Sequence, residues 1–422
     1  MKIDNNNFYI DGKPSFYLAD TCWSAFTNIE ISDWIYYLNY RRKQGFNVIQ
    51  VNMLWQWDSS KTDLDLLPFE LKSDGTFDFS KVNEEYFDRA GEMIKIAYEQ
   101  GFTIGLVLLW ANYLPDTWAT LLKETSLFPK EKIESYVDFV MQKYNQYKPI
   151  YIVSGDTDFP NDNVIDYYEI AMNRVKENDP NSIATLHIRG REKDLPQRLL
   201  ENKNLDFYMF QSGHNRQYQY MAYELAEEFY SKEPQKPSIN SEPCYELMGY
   251  SRNEYGRFTR EDVRKVAWQS VLSGAKAGIT YGAHGIWSWH SENMEFDSTV
   301  GEAFATPYDW HDALQFEGAW DYAFIKNFLE SENLLDIVPV KDLILNETKE
   351  IRVSENDKKI IIYIPSNITL QLNEDYSTHS AYFIDLESKK EVQAKITKSE
   401  TGKGSYVKMH PYIKDALLII KK

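Results

Sequence analysis

Before residue 290 the chain alternates short apolar runs with helix-like stretches, and it does so eight times. The runs fall at 16–21, 47–54, 103–110, 149–156, 183–188, 205–213, 236–243 and 279–287. Most are apolar along their whole length, as strands covered on both faces must be. Helical periodicity fills the gaps at 31–44, 84–100, 130–147, 164–178, 217–230 and 260–277. Strand and helix in alternation predict an α/β fold with a parallel sheet. Eight regular repeats predict closure into a (β/α)₈ TIM barrel rather than an open, doubly wound sheet. Thr259 and Asp262 predict a capping box, with Asp in place of the usual Glu or Gln. A last helical segment, 312–335, closes the barrel.

The character of the chain changes at residue 336. Beyond it lie β-type runs at 359–365, 367–372, 380–386 and 416–420, separated by polar turns and without a long helix. We therefore expect a barrel over 1–335 and a small all-β sandwich domain over 336–422. The 422 residues are enough for both.

Charge narrows the partners. A formal net charge of −18 repels phosphate backbones and anionic lipid, so neither nucleic acid nor a membrane surface is expected as a partner. No apolar run approaches the roughly 18 residues of a membrane span, and the first residues lack the apolar core of a secretory signal, which predicts a cytoplasmic protein. Two cysteines, Cys22 and Cys244, are too few for a disulfide framework and read as buried thiols. The 11 Trp, 30 Tyr and 22 Phe suit both a large core and the stacking of sugar rings.

Barrel enzymes carry their chemistry at the C-terminal ends of the strands. The long connections 55–82, 111–128 and 288–309 come after strands 2, 3 and 8 and so build the rim. Strand 1 ends at Asp20 and Trp23, strand 2 leads to Trp55 and Gln56, and strand 3 ends at Trp110 and Asn112. Strand 5 leads to His187 and Arg189, strand 6 to Gln211 and His214, and strand 8 to His284 and Trp287. This ring of carboxylates, amides, imidazoles and indoles suits a hydroxyl-rich ligand. Asp156 and Glu242 end strands 4 and 7. Period-two alternation puts Ser154 and Asp156 on one face, and Ser238, Asn240 and Glu242 on another; with both faces inward, the two carboxylates meet above the barrel. Glycoside hydrolysis needs such a pair. Singly, Asp156 also fits a helix N-cap and Glu242 a surface ion pair; Asp158 and Glu246 are the next candidates.

Other chemistries fit less well. A metal-dependent barrel hydrolase would carry His-x-His after strand 1, where Asp20-Thr21-Cys22 stands instead. Gly-x-Ser-x-Gly and a Gly-rich phosphate loop are both missing from the sequence. No metal and no cofactor are expected. Two rival readings remain open: a non-catalytic sugar-binding protein on a barrel scaffold, and a hydrolase that places Asp20 and the histidines on a metal.

Several segments together resemble the apiosidase-like family of barrel glycoside hydrolases with a β-sandwich tail. They are 16–23, 45–50, 154–156, 211–214, 240–246 and 281–287, in order along the whole barrel. The resemblance implies Asp156 as acid/base and Glu242 as nucleophile. An Asp at the end of strand 4, where the wider clan usually has Glu, is similar to this group. The characterised activity of the family is release of apiose from a pectin side chain. The expectation is thus a retaining, exo-acting glycosidase on plant-type or related oligosaccharides. In it Asp20, Gln211, His214 and His284 hold hydroxyls, Tyr245 orients Glu242, and Trp23, Trp55, Trp110, Asn112 and Trp287 complete the sugar contacts.

Overall fold

In the computed structural model, which describes all residues except 5, 63, 124, 253, 298–305 and 401–402, eight strands form a closed parallel barrel. They are β1 (Tyr17–Thr21), β2 (Val48–Asn52), β3 (Thr103–Trp110), β4 (Ile150–Gly155), β5 (Ile183–His187), β6 (Phe207–Phe210), β7 (Ser238–Asn240) and β8 (Gly278–Tyr281). Their order around the ring is their order in the chain, and β8 closes it by pairing with β1, Ile279 beside Leu18 and Tyr281 beside Asp20. Around it lie α1 (Ile31–Lys43), α2 (Glu84–Glu99), α3 (Ile133–Tyr144), α4 (Asp162–Asn178), α5 (Gln197–Leu200), α6 (Met221–Tyr230), α7 (Arg260–Val271) and α8 (Gly318–Ser331). The expected capping box is present: the Thr259 hydroxyl accepts from the Asp262 amide, and the Asp262 carboxylate accepts from the Thr259 amide.

Three differences from the sequence expectation have physical causes. Helix α5 has four residues, too few to show a periodic pattern. The segment 312–335 is two helices, Trp310–Ala313 and α8, broken before Gly318. The runs at strands 6, 7 and 8 overshoot, because pairing stops at Phe210, Asn240 and Tyr281. The apolar residues beyond those points turn over the mouth of the barrel. The opposite end is covered by a three-stranded antiparallel sheet of Lys2–Asp4, Asn7–Ile10 and Lys13–Ser15, whose Phe8 packs on Tyr17 and Phe207 at ring distances of 5.3 and 5.1 Å.

The C-terminal part is two antiparallel sheets. The larger has six strands, in the order Val338–Pro339, Arg352–Glu355, Lys359–Ile364, Ala416–Lys421, Ala381–Asp385 and Glu391–Ala394. The smaller has three: Leu370–Leu372, Ser405–Val407 and Ile396–Lys398. Alternation sorts the larger sheet's side chains. Ile360, Ile362, Leu418 and Ile420 form a core with the smaller sheet, while Ile361, Tyr363, Leu417 and Ile419 join the core of the barrel.

Charged groups are buried at that junction. Arg264 on α7, fully buried, gives Asp415 a two-pronged hydrogen bond (2.6 and 2.9 Å) and donates to Asp321 on α8 at 2.9 Å. The Tyr363 hydroxyl donates to Asp415 at 3.1 Å, and Arg260 and Lys389 also reach Asp321. Removing one member of such a group strands a buried charge, at a cost of about 3–5 kcal/mol. Asp415→Ala should lower stability by that amount in a urea titration. Glu261→Ala, which breaks the exposed pair with Lys414, should cost under about 1 kcal/mol.

Candidate active site

The C-terminal mouth of the barrel holds a cleft of about 840 Å³, part of it open to solvent. Asp156, Glu242, Trp23, Trp110, Gln211, His214, Tyr245 and Trp287 all line it. The local sequence explains how the carboxylates get there. A Cβ at position 155 would lie 2.1 Å from the Trp110 ring, so only glycine lets the indole lie against the end of β4. The next residue, Asp156, has φ of 46°. Asp is among the few residues that accept this left-handed conformation, at some cost in strain. Both of its backbone groups are pinned: its N–H donates to His187 Nδ1 at 3.0 Å, and its carbonyl accepts from Trp118 Nε1 at 2.6 Å. The N-cap role belongs to Asn161, whose side chain accepts from the Val164 amide.

Glu242 arrives by a different route from the one alternation predicts. Ser238 and Asn240 face outward, toward the helices: Asn240 donates to Ser212 and Ser270, and Ser238 to the Gly274 carbonyl. The strand ends at Asn240, and the irregular segment after it turns Glu242 into the cleft. There His214 Nε2 lies 2.9 Å from Oε1, and His187 Nε2 lies 3.2 Å from Oε2. His187 Nδ1 already accepts from the Asp156 amide, which leaves its proton on Nε2, facing Glu242. The Tyr245 hydroxyl accepts from Trp23 Nε1 at 3.1 Å and lies against Glu242.

The two carboxylates are held in opposite states. Burial, then the charges of Glu242 and Asp58, push the Asp156 carboxyl well above the ordinary range; Arg189 opposes this weakly. Burial also acts to raise Glu242, but the imidazoles of His187 and His214 beside it outweigh that and hold the carboxylate below its ordinary value. Trp110 lies nearly parallel to His187, and Trp23 meets both edge-on, so the imidazole is boxed in place.

Four expected contacts lie elsewhere. Asp20 points outward from β1, where it accepts from Arg41 at 2.6 Å and from the Tyr37 hydroxyl at 2.7 Å; it ties β1 to α1 and is fully buried. His284 is buried behind Trp287, whose indole N–H it accepts at 3.1 Å, so it supports the cleft wall. Trp55 and Asn112 line a separate cavity. Of the reserve carboxylates, Asp158 accepts from the Trp118 amide and pairs with Arg189, while Glu246 lies beneath the cleft, bound by Tyr281 and the Gly318 amide. Burial raises Glu246 to about 7. The cleft also holds Asp58, Trp118, Arg191, Asn215, Met248 and Ser251, none of which strand-end position singles out. Asp58 was within reach: Gln56 and Asp58 alternate into the cleft while Trp55 and Trp57 do not. Of the others, Trp118 opens a five-residue helix too short to show a period, and the rest sit on irregular connections.

Residues 4–336 match the family described as apiosidase-like, catalytic domain. Among solved structures, one described only as a glycoside hydrolase superposes with a TM-score of 0.80 at 21% identity, covering 100% of this chain and 96% of its own. A family 5 glycoside hydrolase from Bacteroides vulgatus ATCC 8482 gives 0.79 at 22% identity, with 100% and 92% covered. A second glycoside hydrolase structure from the same organism, described as putative, gives 0.65 at 15% identity, with 100% and 82% covered. At these identities the likeness shows the fold. No curated protein matches the chain.

The His187 contact can be tested without any ligand. His187→Phe keeps a ring between Trp23 and Trp110 and removes the donor. The Glu242 pKa should then move upward, as read by carbon NMR of glutamate-labelled protein; an unchanged titration would show that His187 does not hold the carboxylate.

Proposed function

Since this chain belongs to the apiosidase-like catalytic family of glycoside hydrolases, we propose that it is a retaining, exo-acting glycosidase with Glu242 as nucleophile and Asp156 as acid/base. The observation that carries this is the pair of carboxylates in one cleft, set in surroundings that drive their proton affinities apart. In the first step a Glu242 oxygen bonds to the anomeric carbon as the glycosidic C–O bond breaks, and Asp156 gives its proton to the departing oxygen. In the second step Asp156, now ionised, takes a proton from water as the water oxygen bonds to the anomeric carbon and Glu242 leaves. Trp23, Trp110 and Trp287 supply apolar walls for the ring, and Gln211 and His214 supply hydroxyl contacts. Residues 1–335 would be the catalytic unit, and 336–422 an accessory unit braced on α7 and α8.

Retention sets the first test. NMR of the first-formed product should show the anomer of the substrate; the opposite anomer would remove Glu242 from the nucleophile role. The variants separate the two roles. Asp156→Ala should slow cleavage of poor leaving groups by about 10²–10⁴-fold, spare the first step of activated aryl glycosides, and regain turnover with azide. Glu242→Ala should abolish both, and wild-type rates on either substrate would refute the assignment.

The same surroundings set the pH profile. The reactive form has Glu242 ionised, which the histidines extend to low pH, and Asp156 protonated, which burial extends to high pH. The acid limb of kcat/KM should therefore report Glu242 and the alkaline limb Asp156. In Asp156→Ala the alkaline limb should vanish on activated substrates; its persistence would place the second titration elsewhere.

A further inference from the structure

A third carboxylate, Asp58, lines the cleft beside Asp156 and Glu242. Neither step of the glycosidase chemistry uses it, yet its place is fixed from behind by a relay of amides. Asn52, the last residue of β2, donates through its side chain to Gln56 Oε1. With its carbonyl end so engaged, the Gln56 amide turns its N–H end to Asp58 and donates to Oδ1. Asn52 and Gln56 are both almost wholly buried, whereas Asp58 is half-buried at the cleft. The Ser59 hydroxyl donates to the Gln56 carbonyl at 3.1 Å, and Ser59–Ser60 pairs with Phe296–Asp297, which fixes the connection just past Asp58. An amide carries no charge, so the relay aims the carboxylate without cancelling it.

The same connection is braced on the turn that carries Asp156. Trp57, fully buried, meets the Trp118 ring edge-on at 5.7 Å, and Trp118 Nε1 donates to the Asp156 carbonyl at 2.6 Å. Asp58 and Asp156 are thus set from one packed pair of indoles. The other charged groups around Asp156 have partners of their own. Glu242, past β7, lies against the imidazoles of His187 and His214. Asp158, on the connection that carries Asp156, pairs at 3.3 Å with Arg189, past β5, and Arg189 also reaches Glu192 at 3.1 Å. Arg191 borders the cleft with its guanidinium over the Tyr218 ring at 4.9 Å. A negative charge beside a carboxyl favours its protonated form, and the charge of Asp58 is among those that act on Asp156.

We infer that Asp58 is a positioning residue for the acid/base: a negative charge, fixed from β2, that holds the proton on Asp156 until the leaving oxygen takes it. In the second step the same charge makes the ionised Asp156 a stronger base toward water. The inference rests on the glycosidase reading above, so one of its two measurements needs no substrate. Asp58→Asn keeps the shape and the oxygen that accepts from Gln56, and removes the charge. Carbon NMR of aspartate-labelled protein, with the Asp156 signal assigned by its loss in Asp156→Ala, should show Asp156 titrating roughly one pH unit lower in Asp58→Asn than in wild type. On a poor leaving group the alkaline limb of kcat/KM should move down by the same amount, while the acid limb, which belongs to Glu242 and its histidines, stays in place. An Asp156 titration that does not move would overturn the role. So would a rise in KM with the alkaline limb unmoved, which makes Asp58 a sugar contact alone. A shifted titration in a protein that cleaves no glycoside would uphold the hold of Asp58 on Asp156 and refute the glycosidase reading.

Discussion

The closure of β8 onto β1 is the constraint on which the rest of the molecule depends. Parallel strands pair only when their backbones approach to about 4.8 Å. At the start of β8 a Cβ on residue 278 would lie 2.4 Å from both the Cβ and the carbonyl oxygen of Tyr17, so the ring closes there because the residue is glycine. Once it closes, the height and angle of every strand end are fixed. β4 and β7 are then separated by β5 and β6, and Asp156 and Glu242 line one cleft at the mouth. The intervening strands are not idle: β5 ends in His187, His214 lies just past β6, and both imidazoles face Glu242.

That arrangement explains how two similar side chains in one cleft come to differ. Burial pushes both upward, so burial cannot distinguish them. The difference comes from neighbours: Glu242 faces two imidazole nitrogens, whereas Asp156 faces Glu242 and Asp58. The backbone takes part too. The Asp156 amide fixes the tautomer of the histidine that steadies Glu242, so the turn that aims one carboxylate also conditions the other.

Much of this was legible in the sequence, and the limits are instructive. The apolar runs located all eight strands because strands covered on both faces must be apolar throughout. The Thr259–Asp262 spacing located the start of α7 because a capping box is a purely local device. The site was legible only as far as strand ends are. Alternation correctly grouped Ser154 with the inward face of β4, but it failed for Ser238 and Asn240, whose hydrogen bonds go to the helix layer, and Glu242 reached the cleft through a turn beyond the strand. Asp20 looked like a rim carboxylate from its place at the end of β1; its actual direction depended on Tyr37 and Arg41, two residues of a helix that no local pattern links to it. Trp118 and Arg191 were invisible because a five-residue helix and an irregular connection carry no readable period.

The larger C-terminal sheet, apolar on both faces, has a consequence for how such a protein can change over generations. One face of its central strands is occupied by the smaller sheet and the other by the barrel with α7 and α8, so those strands have no side to present to water. It cannot behave as a freely traded module. Recombination that brought in a foreign tail would have to import the matching surfaces of two barrel helices along with it, and drift in the tail is tied to drift in the barrel, residue by residue across the shared seam.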